Sequence, residues 1–230
     1  MKIFGLQKLT LLDYPGKVAC TVFTGGCNFR CPFCHNGRLV TGWEKQEPLE
    51  EEEIFRFLQK RKGILDGVCI SGGEPLLQED LPEFVKKLKR LGYSVKLDTN
   101  GSMPERLKYL AEQGMLDYVA MDIKNAPCKY GETIGCAGYD AGGVEESARF
   151  LLKGDLCYEF RTTVVREFHR REDFEEIGRW IRGAKHYYLQ QFVDSGNLIG
   201  TGLHGYDRKI LEQALEVVKK YVEHAEIRGI

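Results

Sequence analysis

Val18-Ala19-Cys20-Thr21-Val22-Phe23 runs directly into Thr24-Gly25-Gly26-Cys27-Asn28-Phe29-Arg30-Cys31-Pro32-Phe33-Cys34-His35-Asn36. The first six residues are apolar or β-branched throughout, as in a parallel-sheet strand covered on both faces. The glycine pair ends that strand and opens a loop bearing thiols in Cys-x3-Cys-x2-Cys spacing. Outward from this point strand and helix patterns alternate. A helix is predicted from Glu50 to Lys62, with Ile54, Phe57 and Leu58 on one face, followed by a strand at Val68–Ser71. Helices over Leu81–Leu91, Pro104–Glu112, Glu145–Leu152 and Phe174–Ile181 then interleave with strands at Ser94–Leu97, Tyr118–Met121, Tyr158–Val165 and His186–Phe192. An amphipathic helix at Leu211–Tyr221 follows the last strand, and residues 2–12 read as a short hairpin or extra strand beside the first.

Repeated βα units imply parallel strands joined by right-handed crossovers. Six of them are too few for the closed eight-stranded barrel of about 250 residues, so an open, partial (β/α)6 barrel of the α/β class is expected. No linker composition interrupts the chain. It reads as one domain, 1–230, with an N-terminal extension at 1–16, a core at 17–195 and a C-terminal helix and tail at 205–230. In such folds the chemistry sits on loops leaving the C-terminal ends of the strands.

Composition narrows the function classes. Lys and Arg total 33 against 34 Asp and Glu, and this balance favours neither nucleic acid nor an anionic membrane as partner. The first residues lack a signal-peptide pattern and no apolar run is long enough to span a bilayer, which predicts a soluble, cytoplasmic protein with reduced thiols. Of eight cysteines, Cys20, Cys69, Cys128, Cys136 and Cys157 are scattered, while Cys27, Cys31 and Cys34 share one loop. Iron–sulfur clusters and structural zinc normally take four protein ligands, so a trio points to a cluster with one open coordination position. A zinc site completed by His35 or a distant cysteine is the alternative.

The spacing, with Phe33 before the last cysteine, resembles that of the radical S-adenosylmethionine (radical SAM) superfamily. The resemblance implies a 4Fe–4S cluster on Cys27, Cys31 and Cys34 that binds and reductively cleaves S-adenosylmethionine, with the backbone beside Phe33 against the adenine. Ser71-Gly72-Gly73-Glu74-Pro75, after the second strand, resembles the element that receives the methionine amino group; as bare sequence it is also an ordinary turn. Arg161 is expected to project inward from its strand, where a cation needs an anion. The cofactor carboxylate, Glu74 and Asp98 are the candidates.

Asp98-Thr99-Asn100-Gly101 and Asp122-Ile123-Lys124 narrow the likeness to glycyl-radical-enzyme activating enzymes, of the kinds serving pyruvate formate-lyase and anaerobic ribonucleoside-triphosphate reductase. On that resemblance Asp98, Asn100, Asp122, Lys124 and Arg161 lie around the cofactor, with Lys124 on its carboxylate. Asp98, Thr99, Asp122 and the Ala120 carbonyl are expected to hold a monovalent cation, although the first motif also reads as a turn and helix cap. Gln190 and Gln191 stand where formate-lyase activators carry a histidine, so the reductase activators fit better. Cys128 and Cys136 lack the companions of a second cluster, and their Gly-rich surroundings read as a flexible loop where a partner docks. The implied partners are a glycyl radical enzyme and a flavodoxin or ferredoxin-type electron donor. The competing reading is a small-molecule radical enzyme such as 7-carboxy-7-deazaguanine synthase.

Overall fold

The computed structural model describes residues 1 to 229; Ile230, the end of the expected tail, lies outside the described residues. Its strands are β1 (Ile3–Thr10), β2 (Ala19–Thr24), β3 (Gly67–Gly72), β4 (Ser94–Thr99), β5 (Tyr118–Asp122), β6 (Cys157–Val164), β7 (His186–Gln191) and β8 (His224–Arg228), and the sheet order follows the chain order. The helices are α1 (Gly37–Val40), α2 (Glu51–Lys60), α3 (Leu81–Arg90), α4 (Pro104–Glu112), α5 (Tyr130–Thr133), α6 (Gly142–Lys153), α7 (Arg171–Trp180) and α8 (Arg208–Val218). None is long and apolar enough to cross a membrane.

Contacts gather the chain into two compact units. The first holds Met1–Asn28, Arg38–Thr99 and Glu105–Val119. Here β1 lies antiparallel to β2, with Thr10 opposite Ala19, and is the extra N-terminal strand foreseen. β2, β3 and β4 are parallel, with Ala19 beside Gly67 and Gly67 beside Ser94. Leu81, Phe84, Val85 and Leu88 recur at helical spacing on α3 and are all buried. Full burial of each such side chain contributes about 1.5–3 kcal/mol. Cys20 and Cys69 sit in this interior, wholly buried on β2 and β3.

The second unit holds Phe29–Gly37, Asn100–Pro104 and the chain from Ala120 onward. β6, β7 and β8 are parallel, pairing Arg161 with Tyr188 and Leu189 with Ile227. Phe160, Leu189, Phe174, Ile177, Leu211 and Val218 supply its buried core.

β8 corrects the expectation that His186–Phe192 is the last strand. His224-Ala225-Glu226-Ile227-Arg228 contains one large aliphatic residue, so no strand periodicity stands out. What holds it is charge as well as the ladder. The Arg228 guanidinium donates from both terminal nitrogens to the Glu159 carboxylate at 2.9 Å each and lies 3.3 Å from the Tyr188 ring centroid. Glu159 is 1% exposed, and Arg228 is the cation paired with its carboxylate.

Candidate active site

In the first unit the loop after β3 is stitched to the loop after β2. The amide of Gly73 donates to the Thr24 carbonyl at 2.9 Å and that of Glu74 to the Gly26 carbonyl at 2.8 Å. The Gln78 side chain donates to the Gly25 carbonyl at 2.9 Å. The approach is close enough that a Cβ on Gly73 would stand 1.9 Å from the Gly26 oxygen. Gly72 has φ of 120°, and a Cβ there would meet the Thr24 backbone at 2.3 Å. These glycines are therefore required by one backbone lying on another, directly before Cys27.

Glu74 is fully buried. One carboxylate oxygen accepts from the Leu76 amide at 3.0 Å and from the Thr99 hydroxyl at 2.9 Å, so the side chain shapes its own loop and ties it to the end of β4. Asp98, also on β4, bonds Ser71 at 3.0 Å and pairs with Lys96, which is 1% exposed. The Lys96 and Ser71 contacts went unread in the sequence, although Lys96 and Asp98 stand at the i, i+2 spacing that shares a strand face.

In the second unit Cys31 is buried and Cys34 half-buried, with the Cys34 amide donating to the Cys31 carbonyl at 3.0 Å. Gly200 donates to the Pro32 carbonyl at 2.7 Å, and the His35 Nε2–H donates to the Val193 carbonyl at 2.9 Å while the ring stacks on Phe192. Phe33 is buried, its ring 5.7 Å from that of Phe168. Cys27, half-buried, belongs to the first unit, and none of the three thiols is in a disulfide. Among the described residues no group of three or more His, Cys, Asp or Glu gathers tightly enough to hold a single metal ion.

Asp122, at the end of β5, accepts from the Arg161 Nε–H on one oxygen and from the Lys124 ammonium on the other, each at 2.9 Å. Arg161 thus has an anion beside it that the sequence analysis did not nominate. Burial disfavours the Lys124 charge, but Asp122, Cys31 and Cys34 outweigh it and hold its pKa above the usual lysine value. The reciprocal effect falls on Cys34: burial holds its pKa above the usual thiol value, and the Lys124 charge and the Asn36 amide pull it only part of the way back. Asn100 is buried and its Oδ1 accepts from the Ser102 amide at 2.9 Å, in keeping with the turn reading of its motif.

The donor set suits an iron–sulfur cluster: three thiols outside any disulfide on one loop, two of them in the field of the Lys124 ammonium, which favours their ionised form. The family model of the radical SAM superfamily matches residues 21–218. A protein of Methanocaldococcus jannaschii, provisionally named a glycyl-radical enzyme activating enzyme, is 34% identical over 99% of this chain and 96% of its own. The 7-carboxy-7-deazaguanine synthase of Koribacter versatilis is 31% identical over 71% of this chain and 67% of its own. Among solved structures, Streptococcus suis SuiB bound to its precursor peptide SuiA shares the fold with a TM-score of 0.68 at 15% identity, covering 88% of this chain and 46% of that one. Matched along most of its length and carrying the motifs named above, the chain is an enzyme of the radical SAM superfamily.

Proposed function

We propose that this enzyme is a glycyl-radical-enzyme activase, which cleaves S-adenosylmethionine and abstracts a hydrogen atom from one glycine of a partner protein. At the site, the radical chemistry is supported by the Lys124 ammonium, bonded to Asp122 and in the field of Cys31 and Cys34, and the activase reading is carried by the whole-length relative described above. Superfamily membership implies a 4Fe–4S cluster and S-adenosylmethionine. Cys27, Cys31 and Cys34 would hold the cluster, which when bound supplies the electron for reductive cleavage.

The chain's own residues have separable tasks. Lys124 and Arg161 bind the methionine carboxylate, with Asp122 fixing the direction of both cations. The amino group is received at Gly72, Gly73 and Glu74, where the buried Glu74 works by holding the loop in shape. The backbone beside Phe33 supports the adenine, and Asp98, Thr99 and Asn100 flank the ribose. A monovalent cation held by Asp98, Thr99, Asp122 and the Ala120 carbonyl would share Asp98 with Lys96 and Asp122 with Lys124 and Arg161.

The whole-length likeness to the M. jannaschii protein supports the activase reading, and the Gln190-Gln191 pair supports anaerobic ribonucleoside-triphosphate reductase as the partner. A flavodoxin or ferredoxin-type protein would supply electrons in the cytoplasm, with neither nucleic acid nor membrane involved. Likeness to the K. versatilis enzyme favours a second reading, 7-carboxy-7-deazaguanine synthase.

Anaerobic incubation of the reconstituted, reduced protein with S-adenosylmethionine tests the chemistry. 5′-Deoxyadenosine is the expected product, and its absence would reject both readings. With the reductase added, a glycine-centred doublet in electron paramagnetic resonance selects the activase. Turnover of a purine precursor without that doublet selects the synthase.

A further inference from the structure

His169, set in Glu167-Phe168-His169-Arg170-Arg171, was not singled out in the sequence. It is in fact fully buried. Its ring stacks on Phe174 with centroids 5.9 Å apart, and its two nitrogens are committed. Nε2 lies 2.8 Å from the main-chain carbonyl of Lys124, which can only accept, so Nε2 carries the proton. Nδ1 then accepts from the Val165 amide at 3.1 Å, while the Val165 carbonyl takes the His169 amide at 2.9 Å. The imidazole is a neutral spacer between Val165, just past β6, and Lys124, two residues past the end of β5.

The Lys124 backbone is held from several other sides. The Ile123 amide donates to the Arg161 carbonyl at 2.8 Å, and the Ile123 carbonyl accepts from Thr162 Oγ1 at 2.6 Å. The Lys124 amide donates to Tyr130 Oη at 3.3 Å. Asn125 bonds the Thr133 hydroxyl at 2.8 Å and the Phe168 carbonyl at 3.0 Å. The His169 carbonyl in turn accepts from Tyr206 Oη at 2.6 Å, and the Tyr206 carbonyl accepts from Gln191 Nε2 at 2.7 Å. A line of hydrogen bonds therefore runs from the end of β7 through Tyr206 and His169 to the backbone of Lys124. Burying a histidine, whose charged form the site disfavours, is costly unless the ring makes these bonds.

We propose that His169 is a positioning residue for S-adenosylmethionine binding: by gripping the Lys124 carbonyl it places the Lys124 ammonium, and Tyr206 steadies His169. The inference rests on the reading that Lys124 receives the cofactor carboxylate. A long flexible ammonium binds an anion well only if its stem begins from a fixed backbone. Nothing in this role touches substrate, so His169 is not a catalytic residue.

The test is the affinity of the anaerobically reconstituted protein for S-adenosylmethionine by isothermal titration calorimetry, without turnover. His169→Leu removes both ring bonds and leaves the Lys124 carbonyl without this donor; about tenfold weaker binding is expected. His169→Gln can donate and accept at similar reach and should recover most of the affinity. Tyr206→Phe, a milder change that serves if the leucine variant fails to fold, should weaken binding about threefold. In a Lys124→Met background the His169→Leu effect should vanish, because the residue it acts through is gone. Wild-type affinity in the His169→Leu and Tyr206→Phe variants would overturn the proposal, as would an undiminished leucine effect in the Lys124→Met background. Wild-type affinity in Lys124→Met alone would instead overturn the reading of Lys124, and the proposal with it.

Discussion

Cys20 is wholly buried and Cys34, fourteen residues on, half-buried, and the charges around the two thiols differ. Cys20 faces the interior of the first unit from β2, where burial pushes its pKa up to about 12. Burial acts the same way on Cys34 in the second unit, but there the Lys124 charge and a backbone amide oppose it. The difference teaches that burial disfavours the thiolate at both positions, and that a nearby cation offsets part of that cost at Cys34 alone.

Several experiments break or sharpen that contrast. The largest effect is expected from Cys31→Ala, which leaves a cluster under-ligated: iron content measured after anaerobic reconstitution should fall sharply and 5′-deoxyadenosine formation should cease. Cys20→Ser should leave iron content alone and cost stability, because a hydroxyl replaces a thiol in an apolar site; roughly 1–3 kcal/mol is expected, seen as a lower Tm by calorimetry. In the apo-protein, alkylation by iodoacetamide should spare Cys20, since a thiol with a pKa near 12 is ionised to only about one part in a thousand at pH 9. Lys124→Met should slow alkylation of Cys34 at that pH and leave Cys20 unchanged, as followed by peptide mass spectrometry. An equal slowing at both would show that the ammonium does not single out Cys34. The smallest effect belongs to Cys157→Ser on the exposed first residue of β6, within about 0.5 kcal/mol of wild type in a denaturant melt and without change in iron.

The strand and helix alternation was legible because most elements bury apolar residues at their own period. Leu81, Phe84, Val85 and Leu88 mark α3 without ambiguity, and the Pro104–Glu112 bounds of α4 match the expected ones. β8 was hidden because pairing to β7 and the charge of Arg228 on Glu159, 69 residues away, hold a strand with little apolar signal. The motifs likewise singled out residues without showing what they bond. Glu74 read as a ligand-facing carboxylate and is buried as the organiser of its own loop, and the anion beside Arg161 is Asp122. His169 was illegible for a different reason: its partner is a main-chain oxygen, which has no letter in the sequence.

The contact of Gly73 with Gly26 carries a dynamic consequence. Because the amides of Gly73 and Glu74 end on carbonyls of the segment that leads into Cys27, and no room for a methyl separates the two backbones, neither loop can breathe while the other stays still. Solvent deuterium should therefore enter both amides at one common rate, and any opening that loosens the first thiol from its place would unfasten the turn at residues 72–74 in the same event.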